Sequence, residues 1–166
     1  NNNNIKTLNS FFNQNSIEQI SEFKNNTDVV YAANVICHIP NLPDLIKSVD
    51  KLLSKNGVFI FEEPYLGSMF EKTSYDQIYD EHIFMFSGSA IQKIFKLYDM
   101  ELIDLMKQPT HGGSMRYVIS RKGAQQKKAN VQKILDQEKL NNLDNYNFCE
   151  KFKDNCETSK MKLKKC

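Results

Sequence analysis

Two nearly continuous apolar runs, residues 28–33 (DVVYAA) and 58–61 (VFIF), flank a segment whose apolar residues recur at helical spacing. Runs of this length without alternation suit parallel strands buried on both faces. Between them, Asn41 and Pro43 open a helix whose Leu45, Ile46, Val49, Leu52 and Leu53 form one apolar stripe. Asn56-Gly57 then stands where a left-handed cap would stop it. Strand, helix and strand in that order form a β-α-β unit, because parallel neighbours need a crossover of this size.

The flanking segments extend the pattern. Residues 5–8 fit a short strand, and Ser16 with Gln19 makes a capping-box pattern for a helix carrying Ile17, Ile20 and Phe23. Downstream, Ser87 or Ser89 caps a helix with Ile91, Ile94, Phe95 and Tyr98 on one face. Residues 100–106 and 115–120 read as strands pairing antiparallel across the His111-Gly112-Gly113-Ser114 loop. From Gly123 the chain reads as helix, first through Val131, Ile134, Leu135 and Glu138, then from about Asp144 with Phe148 and Phe152. This alternation predicts an open α/β sheet that receives ligands at the carboxyl ends of its strands. That rule selects three loops: after Ala33, after Phe61, and the HGGS turn.

Composition narrows the partners. A chain of 166 residues that is 40% hydrophobic and 25% charged suits one globular core. The 22 basic residues are balanced to a net charge of +2 and spread along the chain apart from a C-terminal lysine cluster, so a nucleic-acid polymer is not expected as partner. No apolar run approaches the roughly 18 residues of a membrane span. Cys37, Cys149, Cys156 and Cys166 have no C-x-x-C spacing and no paired histidines, so no metal site is expected. Free thiols fit a reducing cytoplasm.

The densest chemistry lies in Tyr79-Asp80-Glu81-His82 and in His111-Gly112-Gly113-Ser114-Met115-Arg116. Removing a proton from carbon needs a base titrating near neutral pH, a group that orients it, and donors for the charge that develops. An acid, a phenol and two histidines supply those types, and a helical segment would set Tyr79 and His82 on one face. Glu62 and Glu63 look like paired carboxylates, but neighbours on a strand point to opposite faces, so one at most faces the site. Without further support, His38 reads as a turn histidine beside Pro40, His111 as a strand-end residue, and Gly112-Gly113 as a tight turn. Tyr65, Phe84, Phe86 and Tyr98 read as core and rim packing, and the terminal lysines as a solvated helix face.

The succession DVVYAANVICHIP, GVFIFEEPYL, YDQIYDEH and THGGSMR resembles class I S-adenosylmethionine-dependent methyltransferases, and within them the sugar C-methyltransferases of deoxysugar biosynthesis. The resemblance implies a partial Rossmann-like sheet that lacks its first two strands and carries a helical C-terminal extension. Residues 1–122 would form the partial methyltransferase domain and residues 123–166 the start of the C-terminal domain. It implies S-adenosylmethionine as cofactor and a nucleotide-linked sugar as substrate, methylated on a carbon next to a keto group. His82 then becomes the base, with Tyr79 and Glu81 beside it and His38 reaching in. The enolate donor would be His38, Tyr79 or the N–H groups around Gly112 and Gly113. Ala33 and Asn34 would lie along the methionine part of the cofactor and Phe11 and Phe12 at its adenine. His111, Gly112, Gly113, Ser114 and Arg116 would meet the substrate.

Several features depart from that family. Asp80 stands where the family usually has a further histidine. The glycine-rich cofactor loop, the cysteine-rich zinc domain and most of the C-terminal domain are not in this sequence. A start on four asparagines without methionine and an end on Lys164-Lys165-Cys166 read as those of a fragment. In the family's strand order, 3-2-1-4-5-7-6, the missing strands leave residues 5–8 either pairing directly with the DVVYAA strand or loose. Two other classes share these features: a small-molecule O- or N-methyltransferase, which needs no carbon-acid base, and a non-catalytic remnant that serves as an interaction module.

Overall fold

The computed structural model describes residues 5–165; the asparagine run at 1–4 and Cys166 lie outside the described residues. A short helix, α1 (Gln14–Glu18), precedes the first strand, β1 (Thr27–Ala33). Helix α2 (Leu42–Leu52) leads into β2 (Leu53–Pro64), and α3 (Leu66–Lys72) and α4 (Gly88–Lys96) follow. Strands β3 (Met100–Gln108) and β4 (Ser114–Arg121) complete the sheet, and α5 (Ala129–Leu140) and α6 (Tyr146–Leu163) close the described chain.

The sheet order is β1-β2-β4-β3, with β1 parallel to β2 and β4 antiparallel to both of its neighbours. This is how the expected order reads from its fourth strand onward, 4-5-7-6. The β-α-β unit is therefore as expected. Asn41 caps α2 by accepting from the Asp44 N–H, and Leu45, Ile46, Val49 and Leu52 are all buried. Each such side chain contributes roughly 1.5–3 kcal/mol of transfer free energy. Leu45, Ile46 and Val49, together with Ile91 and Phe95 of α4, form one core cluster with Phe59, Phe61 and Tyr117 of the sheet. The rings of Phe61 and Tyr117 stack at 4.8 Å across the β2–β4 pair.

Five local expectations are corrected. Residues 5–8 form no strand, and Ile5 is exposed. Asn13, not Ser16, caps α1; Ser16 is the third helical residue and returns the capping-box bond to the Asn13 N–H. The helix then ends at Glu18, so Ile20 and Phe23 lie beyond it, Phe23 within the 3₁₀ turn Ser21–Phe23. Strand β1 is buried on one side only: Val30 and Ala32 pack on the core, while Val29 and Tyr31 are more than half exposed. Its apolar run reflects both faces of a strand, but among the described residues helices cover just one.

Asn56-Gly57 does not cap α2, because the helix stops at Leu52 and the chain turns directly into β2 at Leu53. A Cβ on Gly57 would meet the Thr27 carbonyl oxygen at 2.6 Å, so glycine is needed for close approach of β1 rather than for a left-handed turn. The two tail helices are seated on the body. Phe148 and Phe152 of α6 pack their rings 4.9 and 4.7 Å from Phe70 of α3. The carboxylate of Glu138 on α5 is buried and accepts from the Gly88 and Ser89 N–H groups at the start of α4, and from the Tyr65 hydroxyl.

Candidate functional site

The loop leaving β1 turns sharply at Asn34, which adopts a left-handed φ of 52°, and continues into a 3₁₀ turn, Ile36–His38. Glu63 sets its path. This carboxylate is fully buried near the end of β2, and its Oε1 accepts from the Val35 and Ile36 N–H groups at 3.0 and 2.7 Å. Glu62 points the other way, to Arg116 and the Tyr31 hydroxyl. The adjacent carboxylates thus diverge, as strand geometry requires.

The segment carrying Tyr79 to His82 is a turn rather than a helix, with the His82 N–H bonded to the Tyr79 carbonyl. Tyr79 and His82 nevertheless meet: the phenol oxygen lies 2.8 Å from His82 Nε2, and the rings are 4.1 Å apart. His82 Nδ1 lies 2.8 Å from the Gln77 carbonyl and His38 Nδ1 2.7 Å from the Glu81 carbonyl. A carbonyl only accepts, so each ring carries a hydrogen on Nδ1, and in the neutral form its lone pair is on Nε2. The two imidazoles stand 5.0 Å apart. Glu81 takes part through its main chain, whereas its side chain is on the exposed surface.

The HGGS turn reaches the same end of the sheet. His111, itself left-handed at φ 49°, places Nε2 3.2 Å from the Asn34 amide nitrogen, so the loops after β1 and before β4 touch. Gly112 and Gly113 have φ of 75° and 130°, and a Cβ on Gly113 would strike Ser68. Ser114 is turned into the fold, where its hydroxyl donates to the Thr110 carbonyl, and Arg116 is engaged by Glu62. The structure therefore brings His38, Tyr79, Glu81 and His82 together and joins Asn34 to His111. Ser114 and Arg116 are directed elsewhere.

Beside this cluster lies a cleft of about 640 Å³ lined by Phe11, Phe12, Asn34, His38 and Asp44 among others. An apolar groove of about 340 Å³, with Phe12, Ala33, Val35 and Ile39 in its wall, runs along β1. Phe11 is almost fully exposed and Phe12 partly so.

The spacing of cysteines and histidines gives no reason to expect a metal site, yet three side chains of ligand type converge. One ligand atom each from Cys37, His38 and His82 lie within 4.8 Å of one another. Sequence spacing misses this group because His82 arrives from a separate loop. Sequence reasoning likewise does not point to Glu63 and the Gln77 carbonyl as holders of the site; for Glu63 the available signal is the carboxylate pair that closes the apolar run at 58–61.

Against known families, residues 1–105 match the model described as a methyltransferase domain. The chain belongs to this methyltransferase family. Residues 109–166 match the C-methyltransferase C-terminal domain. The C-methyltransferase NovU of Streptomyces niveus is 27% identical over 111 residues, which is 67% of this chain and 26% of that protein. The chain thus spans about a quarter of that relative's length. A crystal structure of a SAM-dependent methyltransferase from Anabaena variabilis aligns with a TM-score of 0.48 at 17% identity, covering 70% of this chain and 58% of that one. No helix among the described residues is long and apolar enough to cross a membrane.

Cys37 differs from the chain's other described thiols in its surroundings. It is buried, and burial with the Glu63 carboxylate beside it pushes the thiol far above its ordinary range. Thiolate is the reactive form. At pH 8, a maleimide is therefore expected to modify exposed Cys149 in the native chain and to reach Cys37 only after denaturation, as peptide mapping by mass spectrometry would show.

Proposed function

We propose that this chain forms the proton-abstracting part of a C-methyltransferase site acting on a carbon adjacent to the keto group of a nucleotide-linked deoxysugar. The observation that carries the reading is the Tyr79–His82 pair, with the Gln77 carbonyl holding the imidazole from behind. The chemistry follows from the tautomer. His82 Nε2 bears the lone pair, so it takes the proton from the substrate α-carbon and becomes an imidazolium whose Nδ1–H remains on Gln77. For the C–H group to reach Nε2, the Tyr79 hydroxyl must give up that nitrogen. Once released, the same hydroxyl is free to donate to the enolate oxygen, a role for which preorganised donors are worth several kcal/mol. His38 presents Nε2 as a donor only when its ring carries both hydrogens, so the enolate donor is taken to be Tyr79 or the N–H groups near Gly112 and Gly113.

S-Adenosylmethionine supplies the methyl group when bound. The apolar groove along β1, with Phe12 in its wall and Ala33 and Asn34 at the strand end, fits the adenosine side of that cofactor. The described residues around the groove include no glycine-rich turn to hold a carboxypropyl end. We therefore expect the 166-residue chain to bind S-adenosylmethionine weakly, with no saturation at micromolar concentrations in a calorimetric titration; a micromolar Kd would contradict this. Free thiols are compatible with a reducing cytoplasm as the compartment of the reaction.

The reading is tested by following the α-proton itself. A keto-sugar nucleotide in D₂O should take up deuterium at one carbon when the enzyme is present, and methylation at any oxygen or nitrogen would refute the assignment.

A further inference from the structure

The Cys37–His38–His82 group has the features of a cation site and none of them depends on the methyl-transfer reading. Each imidazole is oriented as metal-ligating histidines are, with Nδ1 on a main-chain carbonyl and Nε2 as the remaining donor, which on His82 the Tyr79 hydroxyl must release before an ion can bind. Cys37 and His38 share one 3₁₀ turn, which Glu63 holds by its N–H groups, and the Phe84 N–H bonds to the Cys37 carbonyl, linking that turn to the chain just after His82. One sulfur and two imidazoles form a borderline-soft donor set, which discriminates against magnesium and calcium.

We propose that Cys37, His38 and His82 form a binding site for a thiophilic divalent cation, with zinc as the ion the donor set favours and water in the fourth position. Tetrahedral zinc bonds of about 2.0–2.3 Å put donor atoms roughly 3.3–3.7 Å apart. The present limit of 4.8 Å must therefore close by about 1 Å, a movement available to the half-buried histidines. As the Sγ–metal bond forms, the Cys37 S–H bond breaks and its proton passes to solvent. The ion takes the lone pairs of both imidazoles, so it and proton abstraction by His82 exclude each other. The site is thus inhibitory rather than catalytic. Among the described residues no other group of three or more such side chains converges in this way.

The test uses the 166-residue chain with Cys149, Cys156 and Cys166 replaced by serine, so that Cys37 is the remaining thiol. Cobalt(II) is titrated while the visible bands of tetrahedral cobalt and the near-ultraviolet thiolate charge-transfer band are recorded, and zinc is then added to displace it. One equivalent is expected, with the charge-transfer band lost in Cys37→Ser and affinity lowered at least tenfold in both His38→Gln and His82→Gln. Circular dichroism establishes that each variant is folded, and the histidine variants carry the test if Cys37→Ser does not fold. Absence of the band in folded protein, its survival in folded Cys37→Ser, or unchanged affinity in either histidine variant overturns the proposal.

Discussion

Replacing His82 with asparagine is expected to lower deuterium uptake at the substrate α-carbon by about 10²–10⁴-fold, the contribution of a positioned general base. Asparagine keeps an N–H for the Gln77 carbonyl but has no lone pair of comparable basicity at the place of Nε2, which now lies 2.8 Å from the Tyr79 hydroxyl. His82 is half-buried in a surface turn, so the substitution should leave the urea midpoint of unfolding nearly unchanged. Tyr79→Phe removes the proposed enolate donor but not the base, and should slow exchange by a smaller factor. An O- or N-methyltransferase would show the opposite pattern, with methyl transfer persisting in His82→Asn. Full exchange in folded His82→Asn, measured by NMR, would remove His82 as the base.

Glu138→Ala is expected to destabilise the chain by about 3–5 kcal/mol, the largest effect for any single residue outside the apolar core. Three donors converge on this buried carboxylate: the Tyr65 hydroxyl at 2.9 Å and the N–H groups of Gly88 and Ser89 at 2.7 and 2.8 Å. The two N–H groups are unpaired donors of the first turn of α4, and a carboxylate there also meets the positive end of the helix dipole. Burial, then the nearby Glu138 charge, pushes the Tyr65 phenol far above its ordinary range, so it stays a protonated donor. Alanine would leave all three donors without that acceptor and remove the polar link between α5 and the start of α4. Tyr65→Phe removes one donor from the cluster, and should cost about 1 kcal/mol. Urea denaturation of the two variants checks both values; a loss below 1 kcal/mol in Glu138→Ala would show that water replaces the carboxylate.

The elements that were legible share a short-range cause. The helix from Asn41 and the one capped by Ser87 announced themselves by apolar spacing and by caps, which are properties of a few consecutive residues. The same holds for the antiparallel pair across the HGGS turn. Misreadings occurred where a local signal had two physical uses. Gly57 serves close strand approach instead of a left-handed cap, and Ser16 completes a capping box from its inner end. Residues 5–8 have strand character but pair with no strand among the described residues.

His82, Tyr79 and His38 were legible as a chemical set through their surrounding words of sequence, YDQIYDEH and VICHIP, but not as a geometry. Periodicity says which residues of one segment share a face; it does not say which segments meet. By itself, therefore, the sequence determined the β-α-β unit and the residue types available for acid–base work, while the strand order was only what the family resemblance implied. Only the tertiary structure decided that the Glu81 and Gln77 carbonyls set both imidazole tautomers, that Cys37 joins His38 and His82, and that Glu138 caps α4 from 50 residues away. Those are contacts between side chains and distant backbone, and their energy exists only once the loops at one end of the sheet have been brought together.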